Sequence, residues 1–321
     1  MNTELLTQKI LITGGAGFIG SNIVDYLISI NHPNITVLDN LQTGYLSNIE
    51  THLSKINFIQ GDITNFDTCL NATKNCDIIL HQAALGSVPR SIEKPLDTHN
   101  TNVTGFINML EAAKQNNIKR FVYASSSSVY GDDVTLPKIE EQVGNPLSPY
   151  AVSKKTNELY ANVFANLYNL QIIGLRYFNV FGPKQNPNGP YAAVIPIFIN
   201  NILNNKQSHI FGDGTNQRDF TFVNNVVNAN LLAATTQNKN ALNQVYNIAY
   251  GSTKSINNLY AFIQQKLNSK INANLMPPRI GEIKDSFASI TKAKQLLNYN
   301  PIISIEEGIE LTINWYKQNK F

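Results

Sequence analysis

Along the first half of the chain, short apolar runs alternate with longer stretches in which apolar and polar positions recur at helical spacing. The runs Ile10–Thr13, Thr36–Asp39, Asn57–Gln60, Asp77–His81, Phe121–Ala124 and Ile172–Tyr177 have the length of strands, and several are apolar without alternation. Continuous apolarity requires burial on both faces, which a parallel sheet sandwiched by helices provides. Phe18–Ile30, Thr98–Gln115 and Pro149–Tyr168 are long enough to be right-handed crossovers between such strands. The pattern predicts an α/β fold with a doubly wound parallel sheet over residues 1–182.

After Gly182 the texture changes. Pro183, Pro187, Pro190 and Pro196 fall close together, and the elements become shorter with longer joins. Residues 183–321 read as a smaller α/β lobe covering the open end of the sheet, with some of its elements returning to the sheet. Repeats and low-complexity tracts are absent from the pattern.

Composition narrows the classes. The 321 residues carry 25 Lys and Arg against 22 Asp and Glu, a net charge of +3, with no run of like charges. Nothing there favours a nucleic acid or a membrane surface as partner. Hydrophobic residues at 43% exclude disorder as the main theme. Cys69 and Cys76 are too few for a disulfide framework, and the five histidines offer no ligand pair at helical spacing. No metal is expected. The first residues lack a basic stretch ahead of an apolar core, and no window is apolar enough to span a bilayer, so a soluble, cytoplasmic protein is expected.

Three constellations carry chemistry. In Gly14-Gly15-Ala16-Gly17-Phe18-Ile19-Gly20, which joins the first strand to the first helix, the glycines permit a tight turn and close approach of backbone N–H groups to a pyrophosphate at the helix N-terminus. A purely structural turn would look similar. Asp39, however, ends the second strand 19 residues after Gly20, where a carboxylate can accept from both ribose hydroxyls and repel the extra phosphate of NADP. NAD is the expected cofactor. Asp62 follows the third strand and could accept from the adenine amino group or cap the helix beginning near Phe66.

The second constellation is Tyr150-Ala151-Val152-Ser153-Lys154, whose i, i+4 spacing puts an ammonium beside a phenol. A phenol is a poor base near neutrality, and a neighbouring cation together with a charged nicotinamide would favour the phenolate. Alone, this spacing usually marks a surface pair. The third is Ser125-Ser126-Ser127-Ser128 at the end of the fifth strand. Four hydroxyls there suit a ligand crevice better than a core, although a polar strand exit is the alternative.

Taken together with His81-Gln82-Ala83-Ala84, Arg176-Tyr177-Phe178-Asn179-Val180-Phe181-Gly182-Pro183 and Arg218-Asp219-Phe220, the chain resembles the extended short-chain dehydrogenase/reductase family over nearly all its length. Leu85-Gly86-Ser87-Val88-Pro89-Arg90-Ser91 is similar to the branch of nucleotide-sugar 4-epimerases that act on UDP-N-acetylglucosamine and UDP-N-acetylgalactosamine. The resemblance implies a Rossmann-type NAD-binding domain over residues 1–182 and a UDP-sugar-binding lobe over 183–321. It implies that Ser126 bonds the sugar's 4-oxygen, that Tyr150 is the acid/base, and that Lys154 holds the nicotinamide ribose and lowers the tyrosine's pKa.

It extends the expected cofactor site from Gly14, Gly17, Gly20 and Asp39 to Phe18, Ile19, Asn40, Asp62, Ile63, Ala83 and Tyr177. Gly86, Ser87, Ser127, Ser128, Asn179 and Ala193 are expected to line the substrate, with Arg218 and Arg279 gripping the diphosphate. Glu282 stands where the family usually has Asp, which puts its ribose contact in doubt. Ser286, a small residue where a bulky Tyr accompanies restriction to plain sugars, implies room for an N-acetyl group. A 4,6-dehydratase would have Asp-Glu after the catalytic hydroxyl, where this chain has Ser127 and Ser128. A non-catalytic NAD-binding sensor would not need Ser126, Tyr150 and Lys154. The uronate and plain-hexose forms of the 4-epimerase substrate stay open. The resemblance also implies a homodimer built on Thr98–Gln115 and Pro149–Tyr168, whose apolar positions include Val103, Phe106, Ile107, Leu110, Leu159, Val163, Phe164 and Leu167.

Overall fold

The computed structural model describes residues 5–189, 191–278 and 285–319. Its first half runs β1 (Ile10–Thr13), α1 (Phe18–Ser29), β2 (Ile35–Asp39), β3 (Asn57–Gln60), α2 (Phe66–Ala72), β4 (Ile78–His81), α3 (Val88–Glu93), α4 (Pro95–His99) and α5 (Gly105–Gln115). There follow β5 (Arg120–Ser126), α6 (Pro149–Tyr168), β6 (Gln171–Tyr177), β7 (Val180–Phe181), α7 (Val194–Leu203), β8 (His209–Phe211), β9 (Gln217–Arg218) and β10 (Thr221–Phe222). The remainder comprises α8 (Val223–Thr235), β11 (Gln244–Ile248), β12 (Lys254–Ser255), α9 (Ile256–Lys266), β13 (Asn274–Met276), α10 (Thr291–Leu297) and α11 (Ile305–Gln318).

Seven strands form one parallel sheet in the order β11-β6-β5-β4-β1-β2-β3. The unbroken apolarity of β1 is explained by its two faces. Ile10 and Ile12 join a cluster with Ile23, Val24 and Leu27 of α1 and Val226 of α8, while Leu11 joins Phe106, Leu110 and Phe164 on the other side. A third cluster, including Phe181, Phe198, Phe222, Leu259 and Ile309, lies under α7, α9 and α11. β11 pairs with β6 although Gln244 and Asn247 interrupt its apolar pattern.

Local chemistry sets the ends of the elements. α6 starts where the Ser148 hydroxyl accepts from Ala151 N–H at 3.1 Å ahead of Pro149, and it stops at Asn169 in the left-handed region. The segment read as one helix over Thr98–Gln115 is helical from Pro95 and contains a π-helical turn, Asn100–Thr104. There the Asn102 amide accepts from Leu85 N–H at 2.7 Å and donates to Leu85 C=O and the Ser153 hydroxyl, each at 3.1 Å. These bonds tie the loop after β4 to α6. Among the described residues, no helix is long and apolar enough to cross a membrane.

Candidate active site

The strand order reverses between β1 and β4, which is the topological switch point where doubly wound sheets open a crevice at the carboxyl ends of their strands. Gly14 lies there at φ +69°. A Cβ on it would sit 2.7 Å from Ala83 N, so the turns after β1 and β4 close on each other only because the side chain is missing. Gly20 permits a similar approach at the start of α1, where a Cβ would come within 2.2 Å of Gly14 O. Gly17 is the N-cap residue of α1 and brings no side-chain cap. Phe18 and Ile19 pack their side chains on the third hydrophobic cluster, which leaves backbone for any contact to a dinucleotide.

Gly14, Asp39, Asn40, Ile63 and Ala83 line a single open pocket, together with Leu38, Gly61, Ala84, Leu85 and Thr101. Leu38, Gly61 and Thr101 are not singled out by the sequence, and Ala84 and Leu85 enter it only within the motifs that carry the resemblance. The Asp39 carboxylate accepts from Ala16 N–H at 2.9 Å and Leu41 N–H at 2.8 Å. Burial pushes its pKa above the ordinary value, against the pull of these bonds. Two carboxylate oxygens offer about four acceptor sites, and with the backbone of Ala16, Gly17 and Leu41 engaging it, capacity remains for a ribose hydroxyl. The residues therefore fit the adenosine half of NAD.

Asp62 does not cap α2: Asn65 does, accepting from Thr68 N–H at 2.9 Å. Asp62 instead accepts from the Asn40 side chain at 2.7 Å and from both Thr64 N–H and its hydroxyl at 2.8 Å. Tyr177 has its hydroxyl engaged by Gln82 and Asn230 at 3.0 and 2.8 Å, inside a closed ring of three side chains.

Ser126, Tyr150 and Lys154 come together at the carboxyl end of β5. Ser126, only 8% exposed, neighbours the Tyr150 phenol, and its hydroxyl lies 3.2 Å from Ser128 Oγ and accepts from Ser128 N–H. Lys154 Nζ donates to Ala124 O at 2.8 Å and stands 6.0 Å from the centroid of the Tyr150 ring. Burial lowers the Lys154 pKa to about 8, opposed by the carboxylate of Glu158. Burial also raises the Tyr150 phenol, and the neighbouring Ser126 hydroxyl counters only some of that rise. His81, bonded to Thr13 at 2.8 Å, is held down to about 3, by burial and then by Lys154, and stays neutral.

The four serines separate in role. Ser125 points into the interior and donates to Glu158 Oε1 at 2.7 Å, while Ser127 and Ser128 begin a half-buried 3-10 turn. After β4, Gly86 has open space where a Cβ would be. Ser87 adopts φ +93° and accepts from Arg90 N–H at 3.3 Å as the N-cap residue of α3. A serine in that region of backbone space is strained, and its side chain is already spent on the cap.

A second, larger cleft of roughly 700 Å³ opens beside the third hydrophobic cluster, lined by Asn179 and Arg218 and by Ala192, Val194, Ile197, Phe198, His209, Ile210, Phe211, Phe220 and Ile256. Ala193 is exposed at the start of α7, between two of these lining residues. Asn179 donates to Asp219 O at 2.9 Å. Ser286 pairs with Arg218 as an isolated parallel bridge, its backbone accepting from Asp219 N–H and donating to Gln217 O, each at 2.9 Å. Arg279 and Glu282 lie outside the described residues. His209 and Phe211 carry no signal in the sequence, since their place beside Arg218 depends on pairing of β8 with β13. Among the described residues, no group of three His, Cys, Asp or Glu side chains is placed to hold a metal ion.

Comparison with known proteins agrees with this geometry. Residues 10–249 match the model of the NAD dependent epimerase/dehydratase family. A UDP-glucose 4-epimerase of Mycolicibacterium smegmatis is 34% identical over 97% of this chain and 99% of its own. A solved UDP-N-acetylglucosamine 4-epimerase from Methanobrevibacter ruminantium, in complex with UDP-N-acetylmuramic acid, superposes with a TM-score of 0.92 at 38% identity, covering 97% of this chain and 98% of that one. A UDP-glucose 4-epimerase from Thermotoga maritima with UDP-glucose gives 0.91 at 35%, over 97% and 99%. A crevice built by Gly14 and Asp39, facing Ser126, Tyr150 and Lys154 in a chain matched over nearly its whole length, identifies the protein as an NAD-dependent enzyme that belongs to the NAD dependent epimerase/dehydratase family.

Proposed function

We propose that the protein is a UDP-sugar 4-epimerase that interconverts UDP-N-acetylglucosamine and UDP-N-acetylgalactosamine. The observation that carries the reading is the placement of Tyr150, next to Ser126 and beside Lys154, at the strand ends that serve the Asp39 crevice. NAD held by Gly14, Asp39 and Lys154 would supply the acceptor, and then the donor, for the hydride of sugar carbon 4. Tyr150 accepts the proton of the 4-hydroxyl and gives it back, with Ser126 donating to the same oxygen. Lys154 supplies positive charge to the phenolate and a donor for the cofactor's ribose. Arg218 anchors the diphosphate with a planar fork while the sugar turns about its linkage. No carboxylate follows Ser126, so elimination of water lacks proton carriers and a dehydratase is disfavoured.

The choice of N-acetylated sugar is supported by Ser286, held beside Arg218, and by Gly86, which adds no bulk to the loop after β4. A Tyr at position 286 would fill volume that an acetamido group needs. The test is direct. Purified protein is given UDP-N-acetylglucosamine, UDP-glucose and UDP-glucuronate, with products resolved by NMR, and Ser286→Tyr is assayed alongside. The reading expects the N-acetylated substrate to be preferred and the variant to lose that preference. Equal ratios in parent and variant would place selectivity elsewhere.

The same reading includes a homodimer. Leu159, Val163 and Leu167 on α6 are 59%, 48% and 69% exposed, an apolar stripe for which one sheet face has no use. Phe106, Leu110 and Phe164, expected to share that face, are buried in the sheet core instead, and Val103 is buried within the π turn.

A further inference from the structure

Behind the candidate site lies a chain of buried polar groups that the proposed chemistry does not use. Glu158 follows Tyr150 and Lys154 on α6 at the same four-residue step, so the three share a face. It is 7% exposed, and both its oxygens are occupied. Oε1 accepts from Ser125 Oγ at 2.7 Å and Arg176 Nε at 2.8 Å, and Oε2 accepts from Arg176 Nη2 at 2.9 Å. The guanidinium continues to Tyr130 OH and Glu140 O, each at 3.0 Å, and Tyr130 OH donates to Asn247 Oδ1 at 2.7 Å. Asn247, on the strand that returns from the second half of the chain, donates its N–H to Glu140 Oε1 at 2.8 Å.

A buried ion pair is a poor way to stabilise a fold, since well-packed apolar residues of the same volume do as well or better. Its position one turn from Lys154 suggests a different purpose. We propose that Glu158 is a positioning residue: locked by Arg176 and Ser125, it is the fixed counter-charge that keeps Lys154 an ammonium beside Tyr150. The proposal rests on the epimerase reading for its effect on rate, but not for its effect on the lysine.

The charged and titratable surroundings are few. Lys154 faces Tyr150 on its own helix, neutral His81 on β4 and the Ala124 carbonyl on β5. Glu158 faces Arg176 on β6, Tyr123 and Ser125 on β5, and Lys155 at 3.8 Å on its own helix. Among the described residues, Glu158 is the carboxylate of this set. Burial drives Lys154 toward the neutral amine and Glu158 opposes it. Removing the carboxylate leaves burial unopposed, so the ammonium is lost at lower pH.

The experiment uses protein carrying its NAD and labelled with ¹³C at the lysine ε-carbon. The Lys154 resonance is identified by its disappearance in Lys154→Met and titrated in parent, Glu158→Gln, Glu158→Asp and the double variant Glu158→Gln/Arg176→Met. Expected is an acid-ward move of the Lys154 midpoint by about one unit in Glu158→Gln, a tenfold change in the ammonium-to-amine ratio, with recovery in Glu158→Asp. The double variant leaves no unpaired guanidinium and should show a smaller move in the same direction, since loss of the Arg176 charge offsets part of it, so the test survives if the single variant does not fold. In parallel the alkaline limb of kcat should follow the Lys154 midpoint while KM changes little. An unmoved midpoint in both Gln variants overturns the proposal. A moved midpoint with no turnover of any UDP-sugar upholds Glu158 and overturns the epimerase reading.

Discussion

Replacing Gly14 by Ala puts a single carbon into the tightest contact of the cofactor crevice. The new Cβ would lie 2.7 Å from Ala83 N, 2.8 Å from Ala83 Cα and 3.0 Å from the Gln82 carbonyl carbon, all backbone atoms that cannot rotate away. The residue would also be held at φ +69°, where an L-side chain costs about 1–2 kcal/mol. Pushing apart two packed segments adds about 1–3 kcal/mol, so the total is about 2–5 kcal/mol. Relief can come only by separating the turn after β1 from the segment after β4, which Gln82 N–H and Thr13 O join at 3.0 Å. Those segments both line the cavity assigned to adenosine. Loss of bound NAD should therefore accompany loss of stability. At the usual entropy of unfolding per residue, the penalty corresponds to a fall in Tm of about 3–8 °C for a chain this long. Calorimetry and the NAD released on denaturation provide the two readouts. A variant whose Tm is unchanged and whose NAD content matches the parent would show that the close approach does not shape the crevice.

Tyr150→Phe should lower kcat by roughly 10²- to 10⁴-fold while a UDP-sugar still binds, measured by calorimetric titration alongside turnover. A loss of less than about threefold, far below the usual contribution of such a group, would mean that the base lies elsewhere. If the proposed homodimer forms on α6, Leu159→Glu with Val163→Glu should convert it to a monomer in light scattering, since charge on an apolar stripe is not tolerated across an interface; a monomeric parent would refute the docking face. Asp219, fully buried and accepting from Tyr250 and Gly251 N–H at 3.0 and 3.1 Å, has its carboxyl pushed up to about 7 by burial. Its folded pKa lies above the unfolded one, so it contributes stability that is present below about pH 4 and lost as pH rises through about 7. Asp219→Asn should flatten the fall of Tm between about pH 4 and pH 7, and an unchanged slope would remove Asp219 as its source.

How much of this was legible depended on distance along the chain. The turn from Gly14 to Gly20 and the end of β2 at Asp39 are local features, set by neighbours in sequence, and the sequence places them with nearly the right bounds. β5 and β6 announce themselves by the apolar runs Phe121–Ala124 and Ile172–Ile173. β11 does not, because its Asn247 is buried for hydrogen bonding and so looks like a loop residue in a linear pattern. The pairing of Glu158 with Arg176 and Ser125 is invisible for a related reason: its partners sit 18 and 33 positions away and meet only once the sheet is ordered. The π turn escapes a linear reading because Asn102 carries no helical irregularity in its own sequence and is pulled by Leu85, 17 residues earlier. Asp62 and Asn65 both satisfy the composition of a cap, and geometry alone chose between them.

The return of β11 to the edge of the sheet has a consequence for the life of the chain during synthesis. Until residue 248 has left the ribosome, β6 has no neighbour on its outer side, and its row of free backbone N–H and C=O groups is a template for another chain. α8, which covers one face of β4, β5 and β6, is also made late, so the N-terminal half first emerges with apolar surface uncovered. A fragment ending near residue 182 would therefore be a sticky half-sheet that has lost Asn247 from its interior, and excising the dinucleotide-binding half as a stand-alone reagent should yield aggregates unless residues 223–248 are grafted back.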